Sequence, residues 1–521
     1  MTSLLAVFTV RIMPFLLWGR PGLTTGDVVN HLNLIDSYRA NRHRRPDFSS
    51  KFLLSDPENY PTLFHQFLAY LPQRVVDRLE PAVGSVVETI HAGLIFCVTC
   101  YFASSLWGFA NPEHVAAAAV LLFATTPLLI ENPGRVYRMS PRPASAMLTG
   151  TSMLLLTMYL SSGESRWLLA ASLLGAAVAL LSKFGVQAIL FFTGFLSIFT
   201  LDARPLLLPM FAFLFATLLS RGHYLRVLYG HVHHSWFYCT YLRDKIYYTT
   251  AYTYTQLVKW PLTLYRAPRL ALRLLVQHFL LVGFTFVPWV FLLAATYWVR
   301  PEWMFGSAER WLVLWYGAAV ATMFVTAAPW FRFLGEAFRY VEYSIPAVCI
   351  LTAARMFALN DPGLWMFAAV LLVANLIGIA GSYFVAKFVT REDGDRAALY
   401  NWVAQQPAST LLTIDLRLSF LLCFRTPHRS VQVHTNAPSG KNLAAFKKLI
   451  PRRYPLPNND LESLVETYGI DLVVVCDKTV AAIQQKDPEY VYELDSYDEV
   501  FKQGRFRVLK PRYQSFQQRA A

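Results

Sequence analysis

The residues able to do chemistry fall into a few short stretches. In GLTTGDVVNHLNLID, residues 22–36, Asp27 stands four residues before His31, one helical turn apart if the segment is a helix. A carboxylate there can act as a general base. It can equally cap the helix that follows, as can Thr25. NYPTLFHQFLAYLP, residues 59–72, contributes Tyr60 and His65. In ALLSKFGVQAILFF, Lys183 interrupts two apolar runs. FRFLGEAFRYVEYSIPA, residues 331–347, sets Arg332, Glu336, Arg339 and Glu342 side by side, and Arg135, Arg138 and Arg142 precede another apolar run. Arginine as a planar fork and lysine as a compact charge can hold an anion. Near a span end either can also be a snorkelling anchor, and Glu336, Arg339 and Glu342 can form an ion-paired cluster. GHVHHSWFY carries His231, His233 and His234, spacing that allows a partial metal site but offers no fourth ligand.

These residues are carried by a membrane protein. The chain is 55% hydrophobic and only 15% charged over 521 residues, with a mean hydropathy of +0.35, too apolar for a soluble globule. About eleven apolar runs approach the length of a bilayer span: 3–18, 86–107, 114–131, 143–161, 167–182, 186–200, 205–220, 275–299, 309–330, 341–358 and 364–388. The first has Arg11 in its middle and no small-residue cleavage site, so it is expected to be retained. Residues 1–390 therefore form a transmembrane module. Its long polar loops are 19–85 and the aromatic-rich 221–274. Residues 391–521 have ordinary soluble composition. TLLTI and DLVVV in this tail are expected as buried strands, and Leu399–Gln405, Leu443–Ile450 and Leu461–Tyr468 as helices, a small α/β domain. The fold class expected is mainly α: a polytopic bundle with interfacial amphipathic helices, one of them following Asp27, and this C-terminal domain.

An odd number of spans places the first loop and the tail on one side. With the N-terminus inside, that side is the outer face, and Glu131–Pro143, Lys183 and Phe331–Tyr343 join it. This orientation runs against the positive-inside rule: Arg166, Arg204, Arg300, Arg310 and Arg355 lie inside, but more cations lie outside. Either the orientation is inverted or the outer cations are kept there by an anion. The six cysteines are scattered and form no framework. The net charge of +14 is spread over loops between spans, which points to anionic lipid or a phosphate rather than nucleic acid.

The order of these motifs resembles the GT-C superfamily of integral membrane glycosyltransferases. In those enzymes the first outer loop carries an acid near its start, and here GDxxxH is followed by an amphipathic segment. A tyrosine-proline pair before a histidine-bearing helix, a lysine between two spans, the GExxRYxEY element and a soluble outer domain with YGIDLVVV (468–475) are also similar to bacterial members. The resemblance covers most of the chain. It implies transfer of a sugar from a polyprenyl-phosphate carrier to an acceptor hydroxyl of a glycan, lipid or protein, with inversion. It implies Asp27 as general base, and Lys183, Arg339, Arg138 and Arg332 as donor-phosphate ligands. His31, Tyr60, His65, Glu336 and Glu342 would contact substrate. Membrane lipids are the other partners, and the location implied is a bacterial inner membrane with the site facing the periplasm or exterior. The first loop has one clear acid where some members have two, so a divalent cation stays open and no metal ligand is assigned. The rival reading is a multi-pass transporter or channel for an anionic or lipid-linked substrate. It is favoured by Arg11 inside a span, and opposed by the absence of a repeat and by charges gathered at one surface. A non-catalytic scaffold would not need the acid and cation set.

Overall fold

The computed structural model describes residues 2–18, 26–44, 47–56, 59–130, 139–245, 254–276, 278–390, 393–432 and 437–512. Within these, the side chains of 26, 27, 255–257, 273–276, 279–281, 332, 385–390 and 486 stand outside the description.

The chain is mainly helical. It opens with α1 (Thr2–Trp18), α2 (Gly26–Ala40), α3 (Leu63–Ala69) and α4 (Gln73–Leu79). Next come α5 (Val83–Tyr101), α6 (Pro112–Ala124), α7 (Arg142–Ser162), α8 (Ser165–Leu181), α9 (Lys183–Thr200) and α10 (Leu207–Leu219). The aromatic-rich segment folds as α11 (His223–Phe237), α12 (Tyr254–Arg266) and α13 (Pro268–Val276). The module closes with α14 (Phe279–Thr285), α15 (Trp289–Val299), α16 (Gly306–Thr326), α17 (Arg339–Glu342), α18 (Ile345–Leu359) and α19 (Pro362–Thr390).

Each of the eleven apolar runs is helical over much of its length, but not all are single long helices. Val83–Leu106, Arg142–Ser162, Lys183–Thr200 and Pro362–Phe384 are long and apolar enough to cross a bilayer. Thr2–Trp18, Pro112–Ala124, Ser165–Leu181, Arg204–Leu219, Trp289–Val299 and Ile345–Leu359 are shorter. Prolines account for two of the shortenings. Pro127 follows the end of α6, and Pro288 separates α14 from α15, since proline cannot supply the N–H that would continue a helix. Between α8 and α9 the break is a single residue: Ser182 has extended backbone, and its Oγ accepts from Gly185 N at 3.2 Å, an N-cap that starts a new helix.

A continuous core of Phe123, Trp289, Trp315, Leu351 and their neighbours joins α5 to α7, α9, α15, α16 and α18. Arg11 does not snorkel. It is fully buried, donates to the carbonyls of Ala124 at 2.8 Å and Phe123 at 3.3 Å, and faces Glu88 at 3.7 Å. The carbonyls at the end of α6 have no partner within their own helix, and the guanidinium supplies one.

The tail folds as α20 (Gly394–Ala404), β1 (Thr410–Thr413), α21 (Leu418–Leu422), β2 (Arg429–Ser430), α22 (Gly440–Leu449), α23 (Leu461–Tyr468), β3 (Leu472–Cys476), α24 (Asp477–Lys486), β4 (Tyr497–Gln503) and β5 (Phe506–Pro511). The sheet runs β2-β1-β3-β5-β4, with β1 parallel to β2 and β3 and the β5 pairings antiparallel. The first loop joins its edge: Leu53 N donates to Ser430 O at 3.0 Å, Leu54 N to Gln432 O at 3.1 Å, and Ser430 N to Lys51 O at 2.7 Å. Arg425 reinforces the contact by binding Asp36 and Asp77, each at 2.8 Å.

This docking corrects one expectation. The helix after Asp27 does not lie on lipid. Val28, Val29, Leu32, Leu34 and Ile35 of α2 are all buried, in one apolar cluster with Phe64 of α3 and Phe420 and Leu421 of the tail. Protein, not membrane, covers the helix on more than one side. Exposed apolar side chains gather instead on α12 and α13, where Val258, Leu262, Tyr265 and Leu272 are open, as suits helices resting at a membrane surface.

Candidate functional site

The acid end of the site is built on α2 and α3. Because α2 begins at Gly26, Asp27 lies inside its first turn, where negative charge is favoured; its side chain is outside the described residues. His31 follows one turn later, and its Nδ1 stands 2.9 Å from Nε2 of His65, a hydrogen bond between two imidazoles whose rings stack with centroids 5.1 Å apart. His65 is fully buried, and Phe64 meets its ring edge-on at 5.6 Å. Tyr60 is partly buried just ahead of α3. Its neighbour Asn59 packs on α11 at Gly230, where an added Cβ would stand 3.0 Å from the Asn59 carbonyl oxygen. Glycine is required there for the first loop and α11 to approach.

The cationic end is built where α7, α9 and the 331–344 segment meet. Lys183 is the first residue of α9. An added Cβ at Gly185 would come within 2.7 Å of Ser145 Oγ and 3.0 Å of Thr149 Oγ1, so glycine lets α7 and α9 close on each other. Gly335 has φ +92°, and a side chain there would collide with the Phe184 ring; both facts demand glycine. The Arg339 guanidinium lies 5.0 Å from the centre of the same ring and pairs with Glu336 at 2.5 Å. Arg142 binds Glu342 with two nitrogens, Nε to Oε2 at 3.2 Å. Ser145 meets the Tyr343 hydroxyl at 3.3 Å, and Tyr340 donates to Gln187 Oε1 at 3.0 Å.

The two ends adjoin. Leu181, two residues before Lys183, and Ala144, two after Arg142, belong to the apolar cluster that holds Val28, Leu32, Phe64 and Leu68. Lys183 thus stands at a helix end that adjoins α2 and α3, and Phe184 and Arg142 tie Arg339 and Glu342 to the same helix ends. Arg135 and Arg138 lie outside the described residues, as does the Arg332 side chain.

Two alternatives that the sequence left open take definite form. Glu342 takes its charge partner from Arg142, so Arg142 is a neutralised member of the cluster rather than an open anion ligand. The three histidines of α11 do not converge on one point. His233 stacks between Tyr229 and Trp236, with centroids at 5.8 and 5.7 Å. His231 and His234 lie near Lys183. Burial, with the charge of Lys183 adding to it, holds both imidazoles down to about 3. Their i, i+3 spacing placed them on one helical face, but no local signal said that the face meets Lys183.

The described donors do not make a metal cage. Among the described residues no three His, Cys, Asp or Glu side chains come together. His31 and His65 point ring nitrogens at each other at hydrogen-bond distance, so those two atoms do not share an ion.

No protein-family model matches the sequence, and no curated protein matches it. Solved structures do. The chain is similar to ArnT from Cupriavidus metallidurans in the apo state, with a TM-score of 0.56 and 13% identity over 98% of this chain and 97% of that one. ArnT bound to undecaprenyl phosphate gives 0.53 and 12%, over 98% and 96%. The oligosaccharyltransferase AglB from Archaeoglobus fulgidus, in complex with an inhibitory peptide and a dolichol-phosphate, gives 0.53 and 11%, over 98% of this chain and 74% of that chain. At such identities the likeness shows the fold: this chain shares the overall architecture of ArnT and AglB over 98% of its length.

Proposed function

We propose that this GT-C-fold chain is a membrane glycosyltransferase that moves a sugar from a polyprenyl-phosphate carrier to an acceptor hydroxyl, with inversion. The observation that carries the reading is the packing of Leu181 and Ala144, beside Lys183 and the Arg142–Glu342 pair, against the helix that bears Asp27, in a fold whose solved examples were captured with undecaprenyl phosphate and dolichol-phosphate. The acceptor oxygen attacks the anomeric carbon and forms the new C–O bond. The old bond from that carbon to the phosphate oxygen breaks, and its electron pair stays on the phosphate. Asp27 takes the acceptor's proton. Lys183 and Arg339, with Arg138 and Arg332, stabilise the charge that grows on the leaving phosphate. Glu336 and Glu342 orient the two arginines they bind, and His31, Tyr60 and His65 line the side of the sugar and acceptor.

Replacing Lys183 or Arg339 by alanine is expected to cut sugar transfer by the equivalent of about 2–4 kcal/mol, with the protein still folded. Turnover of a polyprenyl-phosphate sugar by purified variants checks this; unchanged rates in both would remove these residues from the site.

The topology proposed has eleven spans in residues 1–390, with the first loop and the domain 391–521 on the outer face of a bacterial inner membrane. The hydrogen bonds between residues 51–54 and 430–432 support a shared side for loop and tail. A cysteine engineered into an exposed tail position such as Lys510 should react with an impermeant maleimide in intact spheroplasts. Reaction only after lysis would place the site on the inner face. The transporter reading gains nothing from Arg11, whose charge is held inside the bundle by Glu88 and two carbonyls.

A further inference from the structure

We infer that His231 and His234 of α11 complete the anion cradle at Lys183, donating imidazole N–H bonds to the phosphate of a singly charged phosphodiester. The inference rests on the reading of Lys183 as a phosphate ligand and adds to it two residues.

Packing places α11 there. Tyr224 and Val227 share one apolar cluster with Ala176 and Ala179 of α8 and Val186 of α9. His231 is one turn beyond Val227, and Lys183 is one turn before Val186. One residue before His231, Gly230 rests on Asn59 of the first loop. His231 is therefore set between the start of α9 and the loop that leads to Tyr60 and His65. Its Nε2 is buried and meets no hydrogen-bond partner among the described residues. Buried polar nitrogens are normally satisfied, so this one is suited to a partner that arrives with the substrate.

The chemistry selects an anion. No carboxylate among the described residues pairs with Lys183, so its ammonium is open to an incoming oxygen. Burial and the neighbouring lysine keep both imidazoles neutral at physiological pH. Each then offers one N–H donor and adds no charge. Around them, Arg339 pairs with Glu336 and Arg142 with Glu342, whereas Lys183 keeps its charge for the ligand. A phosphodiester brings a negative charge for the ammonium and acceptor oxygens for the two neutral N–H donors. The α11 histidines are thus expected to help bind the phosphate of the sugar-loaded carrier.

The test uses the full-length protein in detergent, with methyl farnesyl phosphate as the phosphodiester and farnesol as the uncharged control. His231→Leu and His234→Leu should each weaken methyl farnesyl phosphate about tenfold or more, while His231→Gln and His234→Gln, which keep an N–H donor, stay within about threefold of wild type. Farnesol binding should not change. Leucine variants that bind the diester like wild type, while Lys183→Ala loses it, overturn the histidine role and leave the phosphate reading standing. If Lys183→Ala binds unchanged as well, the phosphate reading falls with it. Equal loss of farnesol and diester in the leucine variants means that α11 holds the lipid tail, which also overturns the inference. Should the leucine variants fail to fold, wild type with 15N-labelled histidine decides. The diester, and not farnesol, should shift the imidazole resonance that is missing from the His231→Gln spectrum, and no shift refutes the contact.

Discussion

Asparagine at position 27 should slow sugar transfer by about two to four orders of magnitude and leave donor binding nearly unchanged. The substitution keeps the shape of the side chain and its hydrogen bonding, and removes only its ability to take the acceptor's proton. The donor is held elsewhere, by Lys183 and the arginines, so affinity for the carrier should persist. Local structure should persist too. The backbone at 27 belongs to the first turn of α2, and that helix is fixed by burial of Val28, Val29, Leu32 and Ile35 and by the clamp of Arg425 on Asp36. If Asp27 serves the helix end alone, asparagine gives up only the favourable charge in the first turn, about 0.3–1 kcal/mol, and the rate survives. Sugar transfer, donor binding and thermal unfolding measured on one detergent preparation separate the two. A stable, fully active Asp27→Asn protein would falsify the general-base assignment. A stable protein that binds donor and does not transfer supports it. If the asparagine variant is unstable, Asp27→Ser answers the same question with a smaller side chain.

The largest effect on stability is expected far from the acid, at Arg355. This residue and Glu309 are both fully buried and pair at 2.5 Å where the end of α18 meets the start of α16. The guanidinium also donates to Thr296 Oγ1 at 3.0 Å and to the Glu302 carbonyl at 3.1 Å, and it lies 3.7 Å from the centre of the Tyr297 ring. Glu309 in turn accepts from the Tyr297 hydroxyl at 2.7 Å and from Phe305 N at 2.8 Å. One ion pair thereby ties α15, α16 and α18 together at the end opposite the 331–344 element. Arg355→Leu leaves the carboxylate buried without its counter-charge, a change that costs about 3–5 kcal/mol. Unfolding in graded denaturant or heat, followed by intrinsic fluorescence, should show the loss. Removing both charges, as Arg355→Met with Glu309→Gln, should recover most of it, because the penalty comes from the unpaired charge rather than from the missing bond. An Arg355→Leu protein with an unchanged melting curve would show that water or another cation reaches Glu309. At temperatures where the single variant stays folded, binding of methyl farnesyl phosphate should match wild type, which separates this residue from Lys183 and Arg339.

The helices of the apolar runs and their order were legible along the chain, as was the division at Ser182, but not the breaks inside 114–131 and 275–299. A segment that must sit in lipid has to satisfy its backbone internally, so long apolar runs become helices whatever their neighbours do. The single-residue break at Ser182 is local, since cap geometry acts within one turn; the proline at 288 interrupts a run that its composition alone presented as continuous. In the tail, continuous apolar stretches such as LLT and LVVV announced the buried central strands β1 and β3. The chemical types needed near a phosphate, and their confinement to a few stretches, could also be read directly.

Partnership could not. Which arginine takes Glu342 depended on bringing residue 142 beside residue 342, two hundred positions apart, and any nearby cation would have satisfied the local pattern. Apolar spacing showed that α2 had a face to bury, but not that the tail domain, rather than lipid, would cover it. Only the folded chain, in which Arg425 reaches Asp36 across 389 positions, decides that. The same holds for α11. Its histidines form a sequence pattern with several meanings, and the small contacts at Gly230 and Val227 set two of them beside a lysine and turn the third away. Local propensity acts over a few residues and decides which elements exist. Ion pairs, imidazole environments and the covering of an apolar face depend on what lies across the gap between elements, and tertiary packing alone determines that.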